Sequence, residues 1–346
     1  MEGLTARPMV LKQANLSRIR EVIKAKGTAT RAEIAEETNI SSTTVRSLLT
    51  EMQQNGEIES VGYDESSGGR KAERYALNPN RYYGVAFCIS DNKMDSLLIN
   101  MCGEILETVR IEAGDGDYQQ VITDYMDKIM KEKEIKSIGI GVPGIVEGGS
   151  FWKQDAEDKR LYKSDIGEQL AEKYKVPVVM ENDLNATAIG FQRCYEHEFP
   201  CENPEDSNMV YLHFEKGCIS AGIIAGGKII RGYRNFAGEV GLIPVEDEKL
   251  LDEWLSEAES DIRYTDAVIK VLCWICGILN PQYIVLGGPG IRKDCVAPIS
   301  DGLLPMFPKH MQAEILYSPD VWGDYHEGMA YLTAGKMFGA VQLIKE

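Results

Sequence analysis

Between Ser41 and Gln54 the chain places small hydrogen-bonding side chains and one arginine on a single helix face: Ser42, Thr43, Arg46, Ser47 and Thr50. They occupy the positions left over by Val45, Leu48, Leu49 and Met52, which fall at i, i+3, i+4 and i+7 and form a buried stripe. An outward face of short donors and acceptors with one guanidinium suits the edges of base pairs in a DNA major groove.

The surrounding residues are the kind that hold such a helix in place. Thr30 is spaced to cap a preceding short helix, with Glu33 three residues on reaching back in a capping box. Asn39 falls in the turn, and Ser41 is placed to cap the second helix. An upstream helix over Leu11 to Ala25 completes a three-helix core through Leu16, Ile19 and Ile23. The stretch 56–77 reads as a β wing that carries Ser67-Gly68-Gly69-Arg70-Lys71. Its glycines let the backbone approach closely, and Arg70 and Lys71 suit a narrow, electronegative minor groove. This order of helix, turn, helix and wing resembles a winged helix-turn-helix, in the version carried by transcription factors of the ROK family (repressors, open reading frames, kinases). A small helical protein-interaction domain with a basic loop shares the helices; the order of the parts favours DNA.

A net charge of −17 opposes DNA binding at first sight. Residues 1–77, however, hold 11 Lys+Arg against 11 Asp+Glu, and the remainder 26 against 43, so the acidity lies in the later part of the chain. A neutral head implies modest non-specific affinity and tight binding only when two heads engage two half-sites. The N-terminal segment MEGLTARPMVLKQ lacks a basic region followed by an apolar run, and no apolar run reaches the eighteen or so residues of a membrane span. The eight cysteines are scattered, as in a reducing cytoplasm, which is the expected location. Cys273-x-x-Cys276 sits in an apolar helical pattern, and Cys194, His197 and Cys201 lack a fourth ligand, so neither set reads as a metal site.

Beyond Asn78-Pro79 the pattern becomes α/β. Tyr83–Ile89 and Ser96–Met101 read as paired strands, 118–133 as a helix, and 136–144 as a buried strand entering a glycine-proline loop. Val176–Met180 is a strand delivering Glu181-Asn182-Asp183 at its carboxyl end. Further strands are read over 209–214, 221–225 and 283–287. Strands that end in glycines or carboxylates and alternate with helices imply a two-lobed body with ligands at strand ends.

Four blocks, Gly-Ile-Gly-Val-Pro-Gly (139–144), Glu-Asn-Asp-Leu-Asn-Ala-Thr-Ala (181–188), Phe-Ala-Gly-Glu-Val-Gly (236–241) and Ile-Val-Leu-Gly-Gly (284–288), resemble the sugar-kinase-like body of the same family. The resemblance implies sugar-binding roles for Asn182, Asp183 and Glu239, with Asp183 in the place of the family's catalytic base. Ionised carboxylates accept strong charge-assisted hydrogen bonds from hydroxyls. Asp183 is also well placed to cap the helix after its strand. Three departures from the family pattern matter. Ala86 stands where the kinases carry an aspartate, and the second phosphate turn reads Glu215-Lys216-Gly217-Cys218-Ile219-Ser220, so phosphoryl transfer and any catalytic residue are not expected. Leu242 replaces the family histidine, and 243–255 holds no cysteine, so no zinc is expected. The loop after Gly144 lacks the family's sugar-binding asparagine; Trp152 in that loop is read equally as a sugar-stacking residue and as core.

The expectation is an α/β, two-lobed sugar-kinase-like (actin/hexokinase-type) body over 84–346. An all-α winged helix-turn-helix domain over 1–77 precedes it, with a linker at 78–83. The function expected is a DNA-binding regulator, a repressor, sensing a carbohydrate effector, with no cofactor, no metal and no membrane. Its partners are a double-stranded operator and a second or further copy of itself, as homodimer or homotetramer. The alternatives are a regulator switched by a partner protein and an active sugar kinase.

Overall fold

The computed structural model describes residues 6–64, 71–90, 93–112, 118–154, 161–201, 203, 206–215, 218–245, 249–258 and 260–338. The head comprises α1 (Ala6–Lys26), β1 (Ala29–Thr30), α2 (Arg31–Thr38), α3 (Ser42–Gln54), β2 (Ile58–Tyr63) and β3 (Glu73–Leu77). Thr30 and Glu33 form the capping box, Asn39 takes the left-handed conformation in the turn at φ 55°, and the Ser41 side chain caps α3. Leu16, Ile19, Ile23, Ile34 and the α3 stripe meet in one core. The sheet runs β1-β3-β2, all antiparallel, so the head is not all-α: the two residues after α1 pair with the wing and tie it to the helices. α1 begins five residues earlier than its apolar spacing indicates.

The body opens with β4 (Tyr83–Ser90), β5 (Lys93–Asn100), β6 (Ile105–Ile111), α4 (Tyr118–Ile129) and β7 (Ile135–Val142). Then follow the short β8 (Ile145–Glu147), β9 (Ser150–Gln154) and β10 (Leu161–Ser164), α5 (Ile166–Tyr174), β11 (Val178–Asn182) and α6 (Asp183–Glu198). The second half holds β12 (Met209–Glu215), β13 (Cys218–Ala225), β14 (Lys228–Ile229), α7 (Leu251–Glu257) and α8 (Asp261–Leu279). It ends with β15 (Tyr283–Gly287), α9 (Val296–Leu303), β16 (Glu314–Tyr317) and α10 (Val321–Lys336). Two five-stranded sheets result, β11-β7-β4-β5-β6 and β14-β13-β12-β15-β16, each with parallel and antiparallel pairs. The nearly all-apolar β4 and β7 are buried along their length because helices cover both faces of their sheet.

The sheets are joined by α6 and α10, which lie between them. An added Cβ on Gly190 of α6 would stand 1.8 Å from the Asp324 carbonyl oxygen of α10, and one on Gly328 of α10 would stand 1.8 Å from the Ala186 carbonyl oxygen. Only glycine permits that approach. Gly139 and Gly141 of β7 make similar room for Thr333 and Tyr325 of α10. These two glycines of the Gly-Ile-Gly-Val-Pro-Gly block therefore serve helix packing.

The head is fastened to the first sheet's lobe. Arg20 of α1 is buried, pairs with Glu57 at 2.7 Å and lies 3.8 Å from the centroid of the Phe338 ring, just after α10. Lys24 donates to the Cys102 carbonyl at 2.5 Å. Arg81 bridges the Asn55 carbonyl and Glu134, so the segment expected as a linker is itself bonded on both sides.

Asp324, in the first turn of α10, accepts hydrogen bonds from Tyr211 at 3.1 Å and from Ser318. Burial pushes its carboxyl up to about 6. A raised folded pKa favours the protonated form, so this contribution to stability is complete below about pH 4 and is lost as pH rises through about 6. Urea titrations should show the wild type losing about 2–3 kcal/mol between pH 4 and pH 7 relative to Asp324→Asn, in which the group does not titrate.

Candidate nucleic-acid interface and ligand cleft

α3 and the wing enclose an open groove of about 680 Å³ lined by Arg31, Ser42, Arg46, Thr50, Lys71 and Tyr75, among others. Three cations against one carboxylate, Glu73, leave the hydroxyl-bearing groove net cationic, a surface that suits an anion. Thr43 and Ser47 lie on the adjoining outer face of α3 with Arg46. Thr50 donates to the Arg46 carbonyl at 2.9 Å, which anchors its side chain to the helix. Of the residues expected to face nucleic acid, Ser42, Thr43, Arg46 and Lys71 share this surface, and Arg70 lies outside the described residues. Arg31 was not anticipated, because it opens α2 and reaches the groove only through the packing of α2 against α3.

The second site forms where β11 meets α6. The capping role considered for Asp183 belongs to its neighbour. Asn182 Oδ1 accepts from the Leu184 and Asn185 backbone N–H groups, both at 3.0 Å, and Asn182 Nδ2 donates to the Gly144 carbonyl at 3.0 Å. Asp183 is the first helical residue and accepts from the Leu184 N–H at 2.8 Å. In the opposite lobe the Glu239 and Asp252 carboxyls are both raised by burial first, and Glu239 next by the charge of Asp252. Asp252 accepts from the Ile219 N–H at 2.7 Å. The Cys218 thiol sits among these groups: burial, then Asp252, Glu239, Glu215 and Asp183, push it up to about 11. Asp183 and Glu239, 56 residues apart in sequence, both contribute charge at the Cys218 thiol.

Glu181 is buried and held by Arg231, which spans from the segment leading to Glu239, and by Asn185 at 3.0 Å. No spacing rule links residues 181 and 231, so this brace was missed. Ala86 is fully buried in the cluster beneath α10, with no polar atom to offer a phosphate or metal. Glu215 is exposed and lies 3.3 Å from His213, and residues 216 and 217 lie outside the described residues. Leu242 is exposed, and among the described residues no cluster of three or more His, Cys, Asp or Glu is arranged to hold a metal. Trp152 is half-buried in β9, with the Lys163 ammonium 5.6 Å from its ring centroid. No described helix is long and apolar enough to cross a membrane.

The cap makes a measurable claim. Asn182→Ala should cost about 1–2 kcal/mol in denaturant titration, whereas Asn182→Ser, which keeps a capping oxygen and adds no charge beside Glu181 and Asp183, should cost less.

Residues 86–252 match the ROK family and residues 15–59 match the winged helix-turn-helix DNA-binding family. The chain is similar to the putative xylose repressor of Caldicellulosiruptor sp. (strain Rt8B.4), with 29% identity over 246 residues, 68% of this chain and 60% of that protein. It therefore matches about three-fifths of the length of such relatives. Among solved structures it shares the fold of a ROK family transcriptional regulator homologous to the E. coli MLC protein, at TM-score 0.72 and 16% identity, over 96% of this chain and 100% of that one. The body alone matches a ROK family glucokinase from Streptomyces griseus, at TM-score 0.54 and 17% identity, over 72% of this chain and 99% of that one. At such identities the structural likeness is one of fold: a sugar-kinase-like body, with the head included in the first comparison. The two family matches in this order give the chain a ROK family domain and, ahead of it, a winged helix-turn-helix domain.

Proposed function

We propose that this chain is a DNA-binding transcriptional regulator, a repressor, whose ROK body senses a carbohydrate or sugar-derived effector and transfers no phosphate. One observation carries the reading: a cationic, hydroxyl-bearing groove on a charge-neutral head, attached to a strongly acidic body. Ser42, Thr43 and Arg46 read the major groove in this proposal, and Lys71, with Arg70, follows the minor groove. Two copies present two heads to a palindromic operator in the cytoplasm.

The cleft supports a sugar with free hydroxyls. Asp183 and Glu239 are the acceptors, and the surrounding carboxylates disfavour a strongly anionic ligand. Similarity to a putative xylose repressor puts neutral sugars first. Phosphoryl transfer needs a phosphate cradle and a metal-holding carboxylate. Ala86, packed in the core, and Glu215, at the second turn, leave neither where the family kinases have them. The effector acts by binding one angle of the two lobes better than another, since only differential affinity shifts such an equilibrium. α6 starts in the cleft and packs on α10, and α10 leads to Phe338 under Arg20 of the head, so the cleft and the head share one continuous set of contacts.

A partner-switched regulator without a small ligand is the second reading. Asn182 favours it, because the capping and Gly144 bonds occupy both of its polar atoms.

Thermal melts against xylose, other neutral sugars, amino sugars and sugar phosphates, with and without Mg-ATP, separate these readings. A ligand at a hundred times its dissociation constant adds about 2.7 kcal/mol. The expected result is a sugar response that Asp183→Ala abolishes and that Mg-ATP does not alter; silence across the panel favours the partner reading, and ADP release restores the kinase. Arg46→Ala should weaken operator binding by about 1–3 kcal/mol at fixed salt, with a smaller loss on random DNA. An equal or greater loss on random DNA would reduce Arg46 to a phosphate contact.

A further inference from the structure

Three sulfur atoms gather on the inner flank of α8. Cys273 and Cys276 stand three residues apart, which puts them on one face of the helix with Cβ atoms about 5–6 Å apart. That face packs on the core of the second lobe: Cys276 belongs to the core, and Cys273 lies partly buried against it. The Cys276 thiol is pushed up to about 11 by burial and then by Cys273, so the two sulfurs feel each other. Sequence spacing offers only this pair, too few ligands for a metal. The fold supplies a third member. After α9 the chain makes one tight helical turn, Leu304–Met306, which brings the Met306 sulfur to 3.2 Å from Cys273 Sγ.

The chemistry of this set is narrow. Two thiols and a thioether are soft donors, and soft donors select monovalent copper over hard ions. Zinc in a structural site takes four ligands, and among the described residues no histidine or carboxylate joins the two cysteines to supply the rest. Exposure falls from Met306 at 61%, through partly buried Cys273, to Cys276 at 7%, so an ion arriving from water meets the thioether first. A methionine that exposed gains little by burial, so packing alone does not account for its seat against the thiol.

We propose that Cys273, Cys276 and Met306 form a binding site for a single copper(I) ion in the second lobe. Binding forms two copper–thiolate bonds and breaks two S–H bonds, with both protons passing to water. The thioether donates a lone pair, and no electron changes hands. The bound ion ties α8 to the Leu304–Met306 turn. The assignment uses neither the DNA-facing groove nor the sugar cleft and stands apart from both.

Anaerobic titration of the full chain with copper(I), against the chromogenic chelator bathocuproine disulfonate, tests it. The wild type should withdraw one equivalent from the chelator, and X-ray absorption at the copper edge should show three sulfur neighbours. Met306→Leu keeps the apolar volume at an exposed position; it should weaken binding by at least about tenfold and leave two sulfurs on the ion. Cys273→Ser and Cys276→Ser should each abolish the tight equivalent. Should Cys276→Ser compromise folding by circular dichroism, the variants at Cys273 and Met306 decide alone. No uptake against the chelator would overturn the assignment, as would nitrogen or oxygen neighbours at the ion. So would an equivalent indifferent to Met306→Leu or to Cys273→Ser, which would assign the copper to other thiols of the chain or to the cysteine pair alone.

Discussion

Gly190 and Gly328 let α6 and α10 touch backbone to backbone, and the placement of everything else in the body depends on that contact. α10 lies on β4 and β7 of the first sheet, and α6 lies on β12 and β13 of the second. The two sheets therefore meet through one helix pair whose backbones approach without intervening side chains at Gly190 and Gly328. A larger residue at either glycine would push the lobes apart, because the atoms it meets are carbonyl oxygens and amide nitrogens that have no rotamer to change.

The same pair sets the site. Capped by Asn182, α6 begins at the carboxyl end of β11, so Asp183 stands in its first turn, where the helix dipole and the neighbouring backbone N–H groups favour a negative charge. From the other lobe, the chain around Glu239 returns toward it and is braced by Arg231 on buried Glu181. That ion pair ties the strand that carries Glu181 to the opposite lobe. At the far end, Arg20 occupies a position between Glu57 and the Phe338 ring, so the head is seated by a buried charge that is both paired and stacked.

How much of this could be read from residue order follows the distance over which each feature is specified. The head was legible almost in full, since the capping box at Thr30 and Glu33, the left-handed Asn39, the Ser41 cap and the α3 stripe are all local patterns. The third strand, Ala29–Thr30, was not, because two residues carry no periodicity and pair only through the wing. In the body, runs of apolar residues marked β4, β7, β12 and β15, and Glu181-Asn182-Asp183 fell at the end of β11 and the start of α6 as their order indicates. The choice between Asn182 and Asp183 as cap turns on a single residue's backbone angle, which spacing does not resolve. Gly190 and Gly328 are 138 residues apart, and Glu181 and Arg231 are 50 apart; neither pair has a sequence signature that points to the other. Gly139 and Gly141, read as part of a family block at the end of a buried strand, prove to be relief cut for a helix.

The head's fastening has a geometric consequence. Lys24, Arg81 and Arg20 all hold it to the lobe of the first sheet, whereas α8 belongs to the lobe of the second. Were two copies joined through their second lobes, a hinge would lie between their axis and each reading head, and the lobe angle would set the phase of the two recognition helices around the DNA as well as their separation. Half-sites repeat with the duplex at about 10–10.5 base pairs, so one inserted base pair turns the far half-site by about 35°. In this arrangement operator length serves as a protractor for the lobes: a spacer one base pair too long presents the protein with the same mismatch as a body held at the wrong angle.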